Sequence, residues 1–202
     1  MTNGHPSTEE KMLSIASIKR RYHVVLLVLG VVAGLTLSAQ AAASDDEQAL
    51  GCVGGFADRF VLAGHVEHRK VFTAATLKTY ATAKQNVAYF SGASGLVQKS
   101  YIGVPLIDLL NEAVVVVDPA RKNDILRKYV VIRGSDCYEV VIALGEILPN
   151  FGGQQVTIAF ETGDGHPLDL SEGMARVVVP GDKAGGRYVS NIIRIEVRSA
   201  PH

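Results

Sequence analysis

Residues 175–197 read ARVVVPGDKAGGRYVSNIIRIEV, two apolar runs rich in β-branched residues set around a bend with three glycines and two cations, Lys183 and Arg187. From Gly181 to Tyr188 the spacing imitates a phosphate-binding P-loop, GxxxxGK[ST], with Arg187 in place of the lysine and Tyr188 in place of the magnesium-binding hydroxyl residue. A true P-loop opens a helix whose N-terminus faces the phosphate. Here the run that follows, YVSNIIRIEV, alternates and is β-branched, which predicts a strand. The stretch therefore reads as a strand–loop–strand block, which argues against nucleotide hydrolysis. Two readings of the loop stay open. Its backbone N–H groups, Lys183 and Arg187 can hold an anion, or it is a wide β connection with solvated cations.

Moving upstream, the chain is rich in short β-type segments punctuated by glycine. FVLAGHV (60–66) and KVFTAATL (70–77) read as a strand followed by a strand leading into a short connector. NVAYFSG (86–92) and VQKSYIG (97–103) flank GASGL, whose glycines suit a hairpin tip. The period then changes: in VPLIDLLNEA (104–113), Leu106, Leu109, Leu110 and Ala113 share one helical face, and Pro105 suits a first helical turn. ARKNDILRKY (120–129) allows one short helix, YVVIRG and YEVVIAL face each other across GSDC, and QVTIAFET adds another strand. About eight strands and three short helices predict an α+β fold of mostly antiparallel or mixed β-sheet, not a doubly wound sheet.

Among 202 residues, 48% are apolar and 20% charged, a globular balance, and the formal net charge is zero. Nucleic-acid binders usually carry a basic excess, so none is indicated as a partner. At the N-terminus KRRYH (19–23) precedes an uncharged apolar run and the small residues Ala39, Gln40 and Ala41, the layout of an export signal over residues 1–41. The alternative is a retained membrane anchor, although Val24 to Leu37 falls short of the ~20 residues of a spanning helix. Arg20 and Arg21 also admit a twin-arginine route. Cleavage leaves 16 cations against 18 anions, a flexible segment over 42–54 and one domain over 55–202 in a periplasmic or secreted protein. Cys52 and Cys137 lie in no CxxC or CxxH spacing, which favours a disulfide or buried thiols over metal chemistry.

Other chemistry is thinner. His65, His68 and His166 are candidate metal ligands, but i,i+3 is not a same-face spacing on a strand, so solvated loop residues are the better reading. Asp164, Asp169 and Glu172 lack the regular spacing of a calcium loop. Asp136 and Glu139 bracket a turn and read as surface residues. GxSxG and HExxH are absent, which leaves hydrolase readings without support.

The order GHVEH…FTAATL, YIGVPLIDLL, KYVVIRGSDCYEVVIALGEI and ARVVVPGDKAGGRYVSNIIRIEV resembles the molybdopterin-binding oxidoreductase domain of sulfite oxidases and related exported enzymes. GVPLIDLL (103–110) and VVPGDKAGGRYV…IEV look like that family's GVPLxxLL and VVPGxxGxRxVKWLxxIEV blocks. The resemblance implies a compact α+β domain whose groove takes the pterin, with molybdenum held by one cysteine thiolate and the pterin dithiolene. It places the thiolate in a CAGNR-like turn shortly before GVPLxxLL, where this chain reads FSGASGL, with Ser91 at or beside that position. A serine hydroxyl is a harder and far less acidic donor than a thiolate. Arg187 matches the motif's arginine, whereas Ser190 and Asn191 stand where the family has basic and aromatic residues.

The cofactor-binding candidates are thus Ser91, Lys183, Gly186, Arg187 and Ser190, with no catalytic and no metal residue assigned. Molybdopterin as cofactor, and the oxidoreductase activity itself, rest on the resemblance alone. Two functions are expected. One is an exported molybdopterin-dependent oxidoreductase-like domain without the molybdenum-ligating cysteine, working beside a redox partner protein. The other is a non-catalytic binding protein for a small anionic ligand or a protein partner.

Overall fold

The computed structural model describes residues 52–201. The export signal expected over 1–41, and the anchor that is its alternative, lie outside the described residues. Nine strands, three short α-helices and two 3-10 turns make up the described part. In chain order they are β1 (Arg59–Gly64), β2 (Lys70–Thr73), α1 (Ala74–Leu77), β3 (Ala83–Ser91), β4 (Gly95–Pro105), α2 (Leu106–Ala113), β5 (Lys128–Gly134), β6 (Glu139–Ala143), α3 (Leu144–Ile147), β7 (Thr157–Thr162), β8 (Arg176–Val178) and β9 (Ile192–Ser199), with 3-10 turns at Asp124–Arg127 and Gly185–Arg187. One sheet has the order β2-β1-β9-β5-β6 and the other β3-β4-β7-β8. Every pairing is antiparallel except β1 with β9, which is parallel. The α+β expectation with mixed sheet holds.

Both sheets contribute to one hydrophobic core. Phe60 and Leu62 of β1, Ile132 of β5 and Ile195 of β9 meet Tyr101 and Val104 of β4, Ile158 of β7 and Val177 of β8 in a single buried cluster. Helix α2 fits its predicted face, because Leu106, Leu109, Leu110 and Ala113 are all fully buried. Pro105 does not sit in the first helical turn; it ends β4 and takes the N-cap position with ψ 130°, where its missing N–H is equally harmless. The predicted hairpin forms with Ser91 opposite Gly95.

The terminal block departs from a simple strand pair. β8 belongs to the four-stranded sheet and β9 to the five-stranded one, so the loop of 179–191 carries the chain from one sheet to the other. Only its base pairs back: Val177 N–H donates to Val189 O at 2.8 Å and Ile192 N–H to Ala175 O at 3.2 Å. The pivot is Asn191, at φ 49°, a left-handed conformation that asparagine tolerates better than most side chains. Its Oδ1 accepts from Ala57 N–H (3.1 Å), its Nδ2 donates to Ser171 O (3.0 Å) and its backbone N–H donates to Glu172 O (2.8 Å). Gly173 packs so closely here that a Cβ would lie 2.7 Å from Asn191 Cα.

Cys52 and Cys137 form a disulfide with Cα atoms 5.0 Å apart, closing 85 residues of chain. The bridge ties the segment before β1 to the β5–β6 turn, where Gly54 N–H donates to Ser135 O (2.9 Å) and the Ser135 hydroxyl to Gly55 O (2.7 Å).

Candidate functional site

The end of β3 and the loop of 181–190 are distant in sequence but adjacent in space. Phe90 N–H donates to Lys183 O at 2.8 Å, and Phe90 forms a parallel bridge with Ala184. This contact sets the Ser91 turn beside the glycine-rich loop. Gly185 is required there, since a Cβ would stand 2.8 Å from the Tyr89 ring. Beneath the bridge Tyr89 and Tyr188 stack with centroids 4.1 Å apart, and the Tyr188 hydroxyl donates to Val179 O at 3.0 Å. Burial, then the neighbouring Tyr89, pushes the Tyr188 phenol up to about 12.

The candidates differ in what their polar groups already do. Ser91 Oγ accepts long bonds from Ala93 and Ser94 N–H, both 3.3 Å. Gly186 O accepts from the Tyr138 hydroxyl at 2.6 Å. Arg187 is engaged on three nitrogens: Nε and Nη2 donate to the two oxygens of Asp182 (2.9 and 2.7 Å) and Nη1 to Glu146 Oε2 of α3 (2.9 Å). The Asp182 hydrogen bonds first, then Glu146, raise its already high pKa against the effect of burial. The exposed Lys183 ammonium has no partner among the described residues. Ser190, half-buried, leads into the pivot at Asn191. The structure therefore brings Ser91, Lys183, Gly186 and Arg187 into one neighbourhood.

A second polar cluster escaped the sequence reading. Arg176, at the start of β8, is buried among apolar residues, with its guanidinium 5.3 Å from the Tyr101 ring centroid and 5.7 Å from that of Tyr188. Its Nη1 donates to Tyr101 Oη at 3.1 Å and makes a very short contact with Glu172 Oε1. That same carboxylate oxygen accepts from the Tyr101 hydroxyl (2.7 Å) and Lys99 Nζ (3.1 Å). Burial pushes the Glu172 carboxyl up, but Tyr101, the Arg176 charge and Lys99 outweigh it and hold the group below its usual range. Arg176 Nε is buried without a hydrogen-bond partner among the described residues. One signal was available in the sequence: a single cation inside the apolar run ARVVV has to be neutralised when that run is buried.

Of the remaining candidates, Asp164, Asp169 and Glu172 line one open cavity, and Asp136 and Glu139 do not. Asp169 Oδ1 accepts from Ser171 N–H and Glu172 N–H, an acidic turn cap, while Glu172 faces Arg176. Asp136 accepts from Tyr138 N–H, and Glu139 pairs with Arg133. Among the described residues no group of three or more His, Cys, Asp or Glu is arranged to hold a metal. The chain's only two cysteines are joined to each other.

Two sheets joined through a glycine-rich crossover loop that closes on a hairpin end make up an α+β domain. The family profile described as oxidoreductase molybdopterin binding domain matches residues 58–202, and the chain belongs to that family. Among solved structures it is similar to the sulfane dehydrogenase SoxCD from Paracoccus pantotrophus, with a TM-score of 0.56 and 24% identity. The likeness covers 69% of this chain and 37% of that one, so this chain spans little more than a third of the SoxCD chain; at such identity it speaks to the fold. No curated protein matches the sequence.

Proposed function

We propose that this chain is an exported member of the molybdopterin-binding domain family that lacks the molybdenum-ligating cysteine and works as a binding protein rather than an independent oxidoreductase. The observation that carries the reading is the donor set. Both cysteines are consumed in the Cys52–Cys137 disulfide, so the chain offers no thiolate, and the hydroxyl at the end of β3, Ser91, is too weak an acid to replace one. A molybdenum centre anchored by a protein thiolate does not fit these residues. Arg187 supports the same reading, because Asp182 and Glu146 already occupy the guanidinium that a pterin phosphate would need. A disulfide of this kind favours an oxidising compartment, periplasmic or extracellular.

The second reading, a pterin-holding oxidoreductase domain completed by a partner, is favoured by two features. They are the Lys183 ammonium and the buried Arg176 Nε, neither with a hydrogen-bond partner among the described residues. Family membership adds weight to it. Elemental and pterin analysis separates the two: the protein, isolated from an exporting host whose other molybdoenzymes are loaded, is expected to carry neither molybdenum nor pterin. One molybdenum per chain with a fluorescent pterin oxidation product would sink the binding-protein reading.

A further inference from the structure

Each sheet has two border strands, and three of the four are short: β2 has four residues, β6 five and β8 three. The outer side of β8 is also covered at its base, where Val177 N–H donates to Val189 O (2.8 Å). The fourth border strand, β3, runs nine residues without a proline, and its register with β4 is unbroken. Shortness, proline and bulges are among the devices that keep a sheet edge from recruiting another strand, and β3 has none of these three.

Its free side follows from its partners. Ser100, opposite Asn86, turns its carbonyl away from β3 to accept from Gly163 N–H (2.7 Å), so the two residues share no ladder bond and the Asn86 N–H and C=O point outward. Phe90 has the same parity, and its outward N–H donates to Lys183 O (2.8 Å) beside the parallel bridge to Ala184. Lys84 and Ala88 share that direction. Among the described residues, no backbone bond is made on this side by Lys84, Asn86 or Ala88. The chain's own loop occupies one end of a ladder and leaves the rest of it open.

The flanking side chains define the chemistry that fits. Phe90 and Leu96 lie opposite each other on the solvent face, 61% and 68% exposed. From Ala88 to Gln98 no residue is charged. Lys183, whose carbonyl holds Phe90, presents an exposed ammonium with no partner among the described residues, while the neighbouring Asp182 is committed to Arg187. The open ladder therefore ends on an apolar pair and an unanswered cation. A second copy cannot answer that cation with the same edge, because Ala83 to Ser91 contain no carboxylate.

We propose that β3 takes up an extended acidic segment of a partner protein as an added strand, its main chain on Lys84, Asn86 and Ala88, a large apolar side chain against Phe90 and a carboxylate at Lys183. In this mode main-chain bonds supply affinity and the flanking side chains supply specificity. The charge at Lys183 selects an acidic segment over a neutral one. Such docking deepens, and rests on, the binding-protein reading, which molybdenum and pterin content tests on its own.

The test is an amide-resolved NMR titration of the mature, disulfide-bonded chain with the probe peptide acetyl-Thr-Val-Thr-Leu-Asp-amide. Saturable shifts at Asn86, Ala88 and Phe90 are expected, and the same peptide ending in Asn should bind about tenfold more weakly, having lost one charge-assisted contact. A probe N-methylated along its backbone should give no saturable shift. In Lys183→Gln, at unchanged melting temperature, the Asp and Asn probes should bind equally. Absence of saturable shifts at these amides, equal affinity for the two probes in the wild type, or undiminished binding of the N-methylated probe would each overturn the proposal. So would a dimer in sedimentation equilibrium that Ala88→Pro splits without unfolding the chain, since the edge would then belong to a second copy. A metal-free protein that ignores the probe would leave the binding-protein reading standing and remove the β3 site alone.

Discussion

Arg176 and Arg187 belong to the same terminal block, and each has its charge answered by carboxylates of the chain itself, but in different media. Arg176 lies in the core, between aromatic rings, with one carboxylate oxygen shared among it, Tyr101 and Lys99. Arg187 lies near the surface, its side chain 31% exposed, in a planar fork on Asp182 with Glu146 completing the set. A buried ion pair is expensive to break, because removing one member strands the other in a low dielectric, whereas a half-exposed pair is relieved by water. The core arginine therefore has a structural claim on the fold, and the surface arginine is the one whose release would change what the loop binds.

The largest expected effect breaks the core member of this pair. Arg176→Met should destabilise the domain by about 3–5 kcal/mol in urea unfolding, because Glu172 is left buried with a diminished set of donors. Adding Glu172→Gln should recover a substantial part of that loss; a double variant no more stable than the single one would show that the arginine acts through packing on Tyr101 and Tyr188 instead. Next in size, Cys52→Ser with Cys137→Ser should cost about 2–5 kcal/mol. Molybdenum uptake would not rise in that variant if the serine at the end of β3 is what excludes the metal. A matching Ser91→Cys variant, assayed for metal after reconstitution, sharpens the point.

At the surface, Arg187→Ala should cost only about 1 kcal/mol, measured by the same unfolding. Asp182→Asn with Glu146→Gln leaves the guanidinium free. Inorganic phosphate, followed by calorimetry, should then bind at least about tenfold more tightly than to the wild type, a gain worth one charge-assisted hydrogen bond. No gain would mean that the loop is closed to anions by its bridge to Phe90 and not by its carboxylates. The smallest effect is at alkaline pH. The Tyr188 phenol, at about 12 in the fold against an ordinary 10.0, favours the neutral form in the native state. Its contribution is complete below pH 10 and is lost as the pH rises through 12. Tyr188→Phe should flatten that alkaline limb of the stability curve.

Periodicity carried most of the fold. The face of α2 and the β3–β4 hairpin follow from spacing that depends only on neighbouring residues, and both appear as predicted. The destination of β9 does not follow from it, since nothing within NIIRIEV states whether it pairs with the preceding strand or crosses to another sheet. That choice is made by Asn191 and by partners in β1 and β5 that lie far away in sequence. The same limit applied to the site. The motif named Arg187 as a cation without naming Asp182 and Glu146 as its occupants, one being five residues away and the other on α3. Arg176 was legible only as an anomaly, a charge in an apolar run, and its meaning required Tyr101 and Lys99 of β4 and Glu172 of the loop before β8 to be brought to it.

The position of β9 also sets the order in which the molecule can come into being. It stands between β1 and β5 and is the shared neighbour of both, yet it follows every other strand of its sheet along the chain. Without residues 192–199, β1–β2 and β5–β6 are two unconnected hairpins, each marginal alone. This half of the domain is completed only by its last strand. Any shortening that removes β9 should give protein that never closes its five-stranded sheet.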